Sequence, residues 1–299
     1  MERRVLDISS LRGALHYDAP LAPYSWFRAG GKADLLFTPE DEDDLQNFLI
    51  ALPHDVPLLV LGLGSNLLVR DGGFRGAALR LSKGFQSIST EADFHIRAGA
   101  GAADVKVARI AAEAGIAGFS FLRGIPGTIG GALRMNGGAY GGETKDIFVS
   151  ARGFDRAGVR HVFDHVAMGF SYRHCAVADD VIFTEALFKG EAGDPVKIIE
   201  EMNAITEARS STQPVNTRTG GSTFRNPPGK NAWELIDQAG LRGFRIGGAE
   251  VSPLHTHFLV AHEGATAADI EALGEHVRRR VFDQSGVTLS WEIKIVGEA

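Results

Sequence analysis

Three short blocks of glycine and polar residues are the parts of this sequence best suited to chemistry. The first is the segment GLGSN at 62–66, which follows an apolar run. Its tight turn would expose several backbone N–H groups, as pyrophosphate binding requires. An ordinary strand–turn–strand connection explains the same residues. The segment lacks the third glycine of the dinucleotide fingerprint and the Gly-Lys-Ser/Thr of a P-loop, so neither common phosphate motif applies.

The second block is the densest in glycine, with ten glycines between Gly115 and Gly142. The whole chain has 37 glycines in 299 residues, above the average share of ~7%. We expect no regular element here, but an ordered backbone wall against a large flat ligand, because glycine permits positive φ and close approach. A flexible loop is the alternative. Interleaved apolar residues such as Ile125 and Ile129 disfavour it, since they gain from burial.

The third block is GGSTFRNPP at 220–228, with a serine after two glycines and before a cation and an amide. Such a block can present a proton donor beside an anion-binding group. Its spacing alone favours a polar turn.

Apolar periodicity predicts the elements that must position these blocks. We expect helices at 40–52, 102–114, 195–209 and 231–240, and strands at 57–62 and around 94–98. Another helix is expected after Thr266, where Thr266 and Asp269 have the spacing of a capping box. The span 147–189 is typical of strands joined by turns. Strict alternation predicts one continuous final strand at 287–295 with Glu292 on its polar face.

The composition is that of a globular chain, 44% hydrophobic and 23% charged, and its length suits about two domains, or three if one is small. The net charge of −6 disfavours broad nucleic-acid binding. A single cysteine, Cys175, excludes an intramolecular disulfide and suits a reducing compartment. No apolar stretch fits a signal peptide or a membrane span, so we expect a cytoplasmic protein.

In this order and spacing, the three blocks resemble the UDP-N-acetylenolpyruvoylglucosamine reductase (MurB) family. Further matching segments are FRAGGKAD at 27–34, SYR at 171–173, HTHF at 255–258 and LSWEI at 289–293. The resemblance therefore covers nearly the whole chain, from about Trp26 to Val296. The length resembles the shorter of the family's two variants.

The resemblance implies an α+β fold, with a two-lobed, non-Rossmann FAD-binding domain of the PCMH type and a smaller α+β substrate-binding domain. It implies FAD-binding lobes at 1–82 and 83–209 and a substrate domain at 210–299. The last strand belongs either to the substrate domain or to the FAD domain. The implied activity is NADPH-dependent reduction of UDP-N-acetylglucosamine enolpyruvate to UDP-N-acetylmuramate, a peptidoglycan precursor, through non-covalent FAD. We expect no nucleic-acid partner and no obligate protein partner.

The resemblance also assigns residues. Ser222 matches the proposed proton donor, and Arg173 matches the arginine that clamps the substrate carboxylate. Glu292 matches a glutamate that stabilises the acid form of the enolate or orients Arg173. Tyr172, Arg225 and Asn226 match substrate-contacting positions. The cofactor contacts fall on Gly62, Gly64, Ser65, Asn66, Gly124, Pro126, Gly127, Gly130, Gly131 and Asn136.

Several alternatives stay open. One is another flavin oxidoreductase of the same superfamily, and another is a non-catalytic flavin- or nucleotide-binding protein. A metal site at His255, His257 and His262 is a third, although we expect no metal because spacing fixes no third ligand. Cys175 beside His174 suggests a thiol nucleophile, but neighbours on a strand point to opposite faces. Glu292 also fits the solvent face of an edge strand.

Overall fold

The computed structural model describes residues 9–299, which form two compact units. The first unit comprises 9–16, Leu35–Gly62 and Gly76–Glu207. The second comprises Tyr17–Asp34, Leu63–Arg75 and Ala208–Ala299. Within 9–299, no helix is both long and apolar enough to cross a membrane. The domain limits at 82 and 209 stay predictions.

The helices are α1 Glu42–Ala51, α2 Asp104–Glu113, α3 Ile129–Met135, α4 Thr144–Ile147, α5 His165–Met168, α6 Pro195–Thr212, α7 Ala232–Gln238 and α8 Ala267–Ser285. Short 3-10 helices lie at Ala22–Tyr24, Lys83–Phe85 and Ser120–Gly124. The strands are β1 Ala14–Pro20, β2 Lys32–Thr38, β3 Leu58–Leu61, β4 Leu67–Val69, β5 Phe74–Arg80, β6 Ile88–Glu91, β7 His95–Gly99, β8 Ile116–Ala117, β9 Gly138–Ala139, β10 Gly142–Glu143, β11 Phe148–Phe154, β12 Arg160–Phe163, β13 Ile182–Lys189, β14 Glu191–Ala192, β15 Thr219–Ser222, β16 Arg245–Ile246, β17 Ala249–Val251, β18 Phe258–Ala261 and β19 Lys294–Val296.

The first unit is built on an antiparallel sheet of order β12-β11-β13-β7-β6. A second sheet has the order β1-β2-β5-β3, in which β3 runs parallel to β5. Helix α1 is capped by Asp41, whose carboxylate accepts a hydrogen bond from the Asp44 N–H. The buried Phe48 of this helix stacks on Phe37, with ring centroids 4.4 Å apart. Burial of such a side chain contributes about 1.5–3 kcal/mol.

The second unit is built on an antiparallel sheet of order β15-β18-β17-β16. Helix α8 covers this sheet with a buried stripe that includes Leu273 and Val277. It begins with the predicted capping box of Thr266 and Asp269. In the same unit, β19 pairs in parallel with β4.

The predicted helices and strands are confirmed except at three places. The first is the final strand, which was expected over 287–295. Only Lys294–Val296 pairs as a strand, and Trp291 makes one isolated bridge to Phe224. The alternation of buried and exposed side chains is present, but alternation requires only an extended backbone. A ladder also requires a neighbouring strand, and here the Leu289 carbonyl instead accepts a hydrogen bond from Arg278 Nε at 2.9 Å.

The second correction concerns the glycine-rich block, where no regular element was expected. Helix α3 forms there and contains Gly130 and Gly131. It forms because Ile129 and Leu133 are buried, and because Gly130 brings the helix close to the backbone of Ala100. A Cβ on Gly130 would lie only 3.2 Å from the Ala100 carbonyl oxygen. Tertiary packing therefore outweighs the low helix propensity of glycine.

The third correction concerns α6, which starts at Pro195 as predicted but continues beyond Arg209 to Thr212. The hydroxyl groups of Ser211 and Thr212 donate to the Ala208 carbonyl, at 3.1 and 2.6 Å. This back-bonding lets polar residues end the helix later than their composition indicates.

Candidate functional site

The turn at 62–66 connects β3 to β4, and its surroundings require both of its glycines. A Cβ on Gly62 would lie 2.8 Å from Thr128 Oγ1, within the first unit. Gly64 has a φ of +69°, and a Cβ there would collide with the Tyr24 carbonyl oxygen, within the second unit. Gly62 is exposed, so the turn presents bare backbone where another residue would present a side chain.

Thr128 lies beside two of the predicted cofactor residues in the first unit. Its hydroxyl is 2.8 Å from a Cβ placed on Gly62 and 3.8 Å from one placed on Gly131, and both glycines are exposed. Gly124, Pro126, Gly127 and Gly130 lie in or next to the same segment and are half-buried. The glycine blocks of the first unit therefore lie together around the Thr128 hydroxyl, which no sequence pattern singled out.

Asp104 is a second residue that the sequence did not single out. It is the first residue of α2 and is fully buried, and neither carboxyl oxygen has a hydrogen-bond partner in residues 9–299. A Cβ on Gly127 would lie 2.8 Å from its Oδ2. Burial raises the pKa of Asp104 well above its usual value. No spacing signal marks this residue, because acidic residues are common in the first turn of helices.

Asn136 is the buried C-cap of α3, with a left-handed φ of 42°. Its amide group donates to Glu143 Oε2 and to the Ser171 carbonyl, each at 3.1 Å, and its Oδ1 accepts the Lys145 N–H at 3.0 Å. These bonds hold the turn that carries Tyr172 and Arg173. The side chain thus has a bracing role, and its predicted contact with a cofactor stays a prediction.

Arg173 lies in the turn at Ser171–His174, which an isolated bridge closes. Its φ is 54°, a left-handed conformation that non-glycine residues rarely adopt outside constrained sites. Its Nη2 donates to the Gly138 carbonyl at 3.2 Å, and its guanidinium carbon lies 5.1 Å from the centre of the Tyr172 ring. Lys145 chiefly, with Arg173 adding to it, keeps the pKa of Glu143 below its usual value.

Thr223 links the predicted catalytic residues of the second unit. It is fully buried, and its N–H donates to the His257 carbonyl at 2.9 Å. Its own carbonyl accepts the Glu292 N–H at 2.9 Å. Ser222 precedes it and pairs with Phe258 across the sheet. Ser222 and Glu292, which are distant in the sequence, therefore lie on adjacent backbone segments, and both are half-buried.

The predicted cofactor residues Ser65 and Asn66 lie against this same part of the second unit. Asn66 Nδ2 donates to the Glu292 carbonyl at 3.0 Å. The Ser65 carbonyl oxygen is 3.5 Å from a Cβ placed on Gly221. The turn after Gly64 is thus next to the segments that carry Ser222 and Glu292.

The predicted substrate residues differ in how their side chains are engaged. Asn226 Oδ1 accepts the Ala232 N–H at 3.0 Å and so caps α7. Arg225 is exposed, and its guanidinium has no ion pair or hydrogen bond within residues 9–299. Tyr172 is 47% exposed. Arg225 and Tyr172 are therefore accessible to a ligand.

The histidines and the cysteine considered as alternatives have structural partners. His257 Nε2 donates to the Phe224 carbonyl at 2.7 Å, and His262 Nε2 lies 2.6 Å from Glu250 Oε2. Within 9–299, no group of three or more His, Cys, Asp or Glu side chains is placed to hold a metal ion. Cys175 is buried, and burial raises the pKa of its thiol. A buried thiol with a raised pKa is a poor nucleophile.

Two family models match the sequence. The model described as "UDP-N-acetylenolpyruvoylglucosamine reductase, C-terminal domain" matches residues 213–296, and that described as "FAD binding domain" matches 33–163. A UDP-N-acetylenolpyruvoylglucosamine reductase from Parvibaculum lavamentivorans is 58% identical over 97% of this chain and 93% of its own. A UDP-N-acetylenolpyruvoylglucosamine reductase from Azorhizobium caulinodans is 58% identical over 97% of this chain and 94% of its own length.

The chain belongs to the UDP-N-acetylenolpyruvoylglucosamine reductase family. The crystal structure of the Thermus caldophilus reductase agrees with this assignment, with a TM-score of 0.83, 32% identity and coverage of 96% of this chain and all of that one. Membership confirms the predicted fold class of an FAD-binding domain followed by a C-terminal substrate domain. It also confirms the predicted enzyme class, an FAD-dependent oxidoreductase, so the non-catalytic alternative is set aside.

The residues present fit the FAD expected for this reductase family. Gly62 and Gly131 are exposed glycines beside the Thr128 hydroxyl, and a Cβ on Gly62 would fill the space next to that hydroxyl. Bare backbone of this kind can approach a flat, phosphate-bearing molecule closely.

Proposed function

We propose that Ser222, Arg173 and Glu292 carry the chemistry of this enzyme. The chain reduces UDP-N-acetylglucosamine enolpyruvate to UDP-N-acetylmuramate, with FAD as cofactor and NADPH as hydride donor, as predicted from the sequence. The observation that carries the residue assignment is the Thr223 link, which places Ser222 and Glu292 on adjacent backbone segments.

Within the first unit, the glycine blocks around Thr128 would hold FAD. Ser65 and Asn66 stay predicted cofactor contacts. When bound, FAD supplies a carrier that accepts a hydride from NADPH and delivers it to the enolpyruvyl double bond. The remaining chemistry requires this chain to bind the substrate carboxylate and to supply a proton.

Ser222 is proposed as the proton donor. After hydride addition to the far carbon of the double bond, an electron pair remains on the carbon next to the carboxylate. The Oγ–H bond of Ser222 then breaks as a C–H bond forms at that carbon, and the serine regains its proton from solvent. The Ser222 hydroxyl has no hydrogen-bond partner within residues 9–299, so its proton is available for transfer. Such a weak acid requires close geometry.

Arg173 is proposed to bind the substrate carboxylate. A planar guanidinium can pair with both carboxylate oxygens, which fixes the substrate and stabilises negative charge as it develops. The strained φ of Arg173 and its bond to the Gly138 carbonyl pre-position the side chain. Glu292 is proposed to stabilise the acid form of the enolate.

Arg225, Asn226 and Tyr172 are proposed to contact the substrate. The guanidinium of Arg225 is exposed and has no ion pair or hydrogen bond within residues 9–299, so it suits a diphosphate. Asn226 uses its Oδ1 to cap α7, which leaves its amide N–H groups for the uridine part. Tyr172 presents an exposed ring.

We further propose that the protein works in the cytoplasm without an obligate protein partner. Its only cysteine is buried and free, which suits a reducing compartment.

The experiment that tests the assignment is single-turnover kinetics of Ser222→Ala under anaerobic conditions. NADPH should bleach the flavin of the variant at the wild-type rate, because Ser222 takes no part in that step. Reoxidation by the enolpyruvyl substrate should be slower by about 10²–10⁴-fold, the usual contribution of a general acid.

Ser89→Ala is the control, because Ser89 is an exposed serine of β6 outside the proposed site. It should match the wild type in both steps. Reoxidation of Ser222→Ala at the wild-type rate would contradict the role of Ser222.

A further inference from the structure

Asn66 is joined at two points to the segment that carries Glu292, although 226 positions separate the two residues. Its side-chain Nδ2 donates to the Glu292 carbonyl at 3.0 Å. Its backbone carbonyl accepts the Lys294 N–H at 3.1 Å, immediately before β19 pairs with β4. The backbone on the C-terminal side of Glu292 is thus held by one residue of the turn at 62–66.

The segment that carries Glu292 is not a regular strand. Among residues 9–299, the only bridge between 287 and 293 joins Trp291 to Phe224, and beside it the Arg225 N–H donates to the Ser290 carbonyl at 2.8 Å. The Glu292 N–H is held by the carbonyl of the buried Thr223 at 2.9 Å. On the carbonyl side of Glu292, the hydrogen bond comes from the Asn66 side chain. A backbone hydrogen bond from Glu292 to Thr223 therefore holds the N–H side of this residue, and a side-chain hydrogen bond from Asn66 holds its carbonyl side.

We propose that Asn66 is a positioning residue for Glu292, in addition to any contact it makes with FAD. This inference rests on the catalytic role proposed for Glu292. An amide donates to a carbonyl, whereas a carboxylate in the same place would repel it, so the role requires asparagine rather than its isostere aspartate. Loss of the bond frees the Glu292 peptide to move, and a misplacement of about 1 Å can slow a reaction by about 10²-fold.

The test is a double-mutant cycle with Asn66→Asp and Glu292→Gln, measured as the rate at which the substrate reoxidises the NADPH-reduced flavin. We expect each single variant to reoxidise about 10–10²-fold more slowly than the wild type. The double variant should be no slower than Glu292→Gln alone, because Asn66 acts through Glu292. Bleaching by NADPH at saturating FAD should be unchanged in every variant, which a general structural defect would not allow.

Three results would overturn the inference. One is a double variant whose defect equals the product of the two single defects. Another is an Asn66→Asp variant that binds FAD more weakly but reoxidises normally once FAD is saturating. The third is wild-type reoxidation by Glu292→Gln, which would also remove the role proposed for Glu292. The first two results leave that role intact, so the two failures are distinguishable.

Two further variants control for the added charge of an Asn→Asp change and for a failure of Asn66→Asp to fold. Asn231→Asp makes the same chemical change at an exposed residue before α7 and should match the wild type in FAD binding, in bleaching by NADPH and in reoxidation by the substrate. Asn66→Ser removes the amide without adding charge and replaces Asn66→Asp if the latter does not fold. Its shorter side chain cannot reach the Glu292 carbonyl, so the same slow reoxidation is expected.

Discussion

Asp104 is a carboxyl group that folding places in a fully buried position without a hydrogen-bond partner in residues 9–299. Burial raises the pKa of Asp104, so between the unfolded-state and folded-state pKa values the folded protein keeps a proton that the unfolded chain releases. The free energy of unfolding is therefore unaffected by this group below the unfolded-state pKa, and it decreases as the pH rises toward the folded-state pKa. The slope approaches about 1.4 kcal/mol per pH unit for one proton.

Asp104→Asn should remove this slope, because an amide does not titrate. We expect the FAD-free variant to be more stable than the FAD-free wild type at neutral pH, with a difference that grows with pH up to the folded-state pKa of Asp104. Urea unfolding at several pH values measures it. Asp283→Asn reports the effect of removing one exposed carboxylate of α8. Identical pH slopes for Asp104→Asn and the wild type would show that Asp104 is ionised in the folded protein.

Residues that lie within a sequence motif were selected from the sequence. Residues whose importance comes only from three-dimensional packing were missed. Ser222, Arg173 and Glu292 were selected by resemblance. Asp104 was missed because its distinguishing feature is a buried carboxyl group without a hydrogen-bond partner among residues 9–299, which no local sequence pattern records. Thr223 was missed because its significance lies in bonds to residues distant in sequence, such as Glu292.

Helix α8 is fixed at its N-terminus by two independent caps. Thr266 and Asp269 form the local capping box. Asp71, from the loop after β4, accepts the Ala267 and Ala268 N–H groups at 3.0 and 2.9 Å. Such caps satisfy N–H groups that a helix cannot satisfy internally.

Asp71→Ala should lower the free energy of unfolding by about 1–2 kcal/mol, since it removes both the hydrogen bonds and a favourable charge at the helix N-terminus. Equilibrium urea unfolding measures this. Asp283→Ala, which changes an exposed aspartate within the same helix, serves as the control and should have little effect. If the two variants are equally stable, the long-range cap does not contribute.

Elements were predictable where local signals agreed with tertiary packing. The capping box at Thr266 and the apolar stripe after it predicted α8 correctly, because both act within the helix. The final strand over 287–295 was wrong because pairing depends on a neighbour that the alternation of side chains does not encode. Helix α3 was missed because local composition argues against helix at Gly130 and Gly131, and contact with Ala100 overrides it.

At the scale of the whole chain, the net charge of −6 and the ordinary composition do not indicate the activity of this enzyme. Composition excluded classes of protein, and the ordered set of glycine and polar blocks identified the family. The resemblance is specific because matching segments lie in both units, at 62–66, 171–173 and 220–228.

This chain moves a hydride from NADPH to UDP-N-acetylglucosamine enolpyruvate through bound FAD. An anaerobic absorbance titration of the purified protein, with FAD added, tests this activity most directly. NADPH should bleach the flavin band, and the enolpyruvyl substrate should restore it with formation of UDP-N-acetylmuramate. Bleaching that this substrate does not reverse would contradict the claim, as would a protein that binds no FAD.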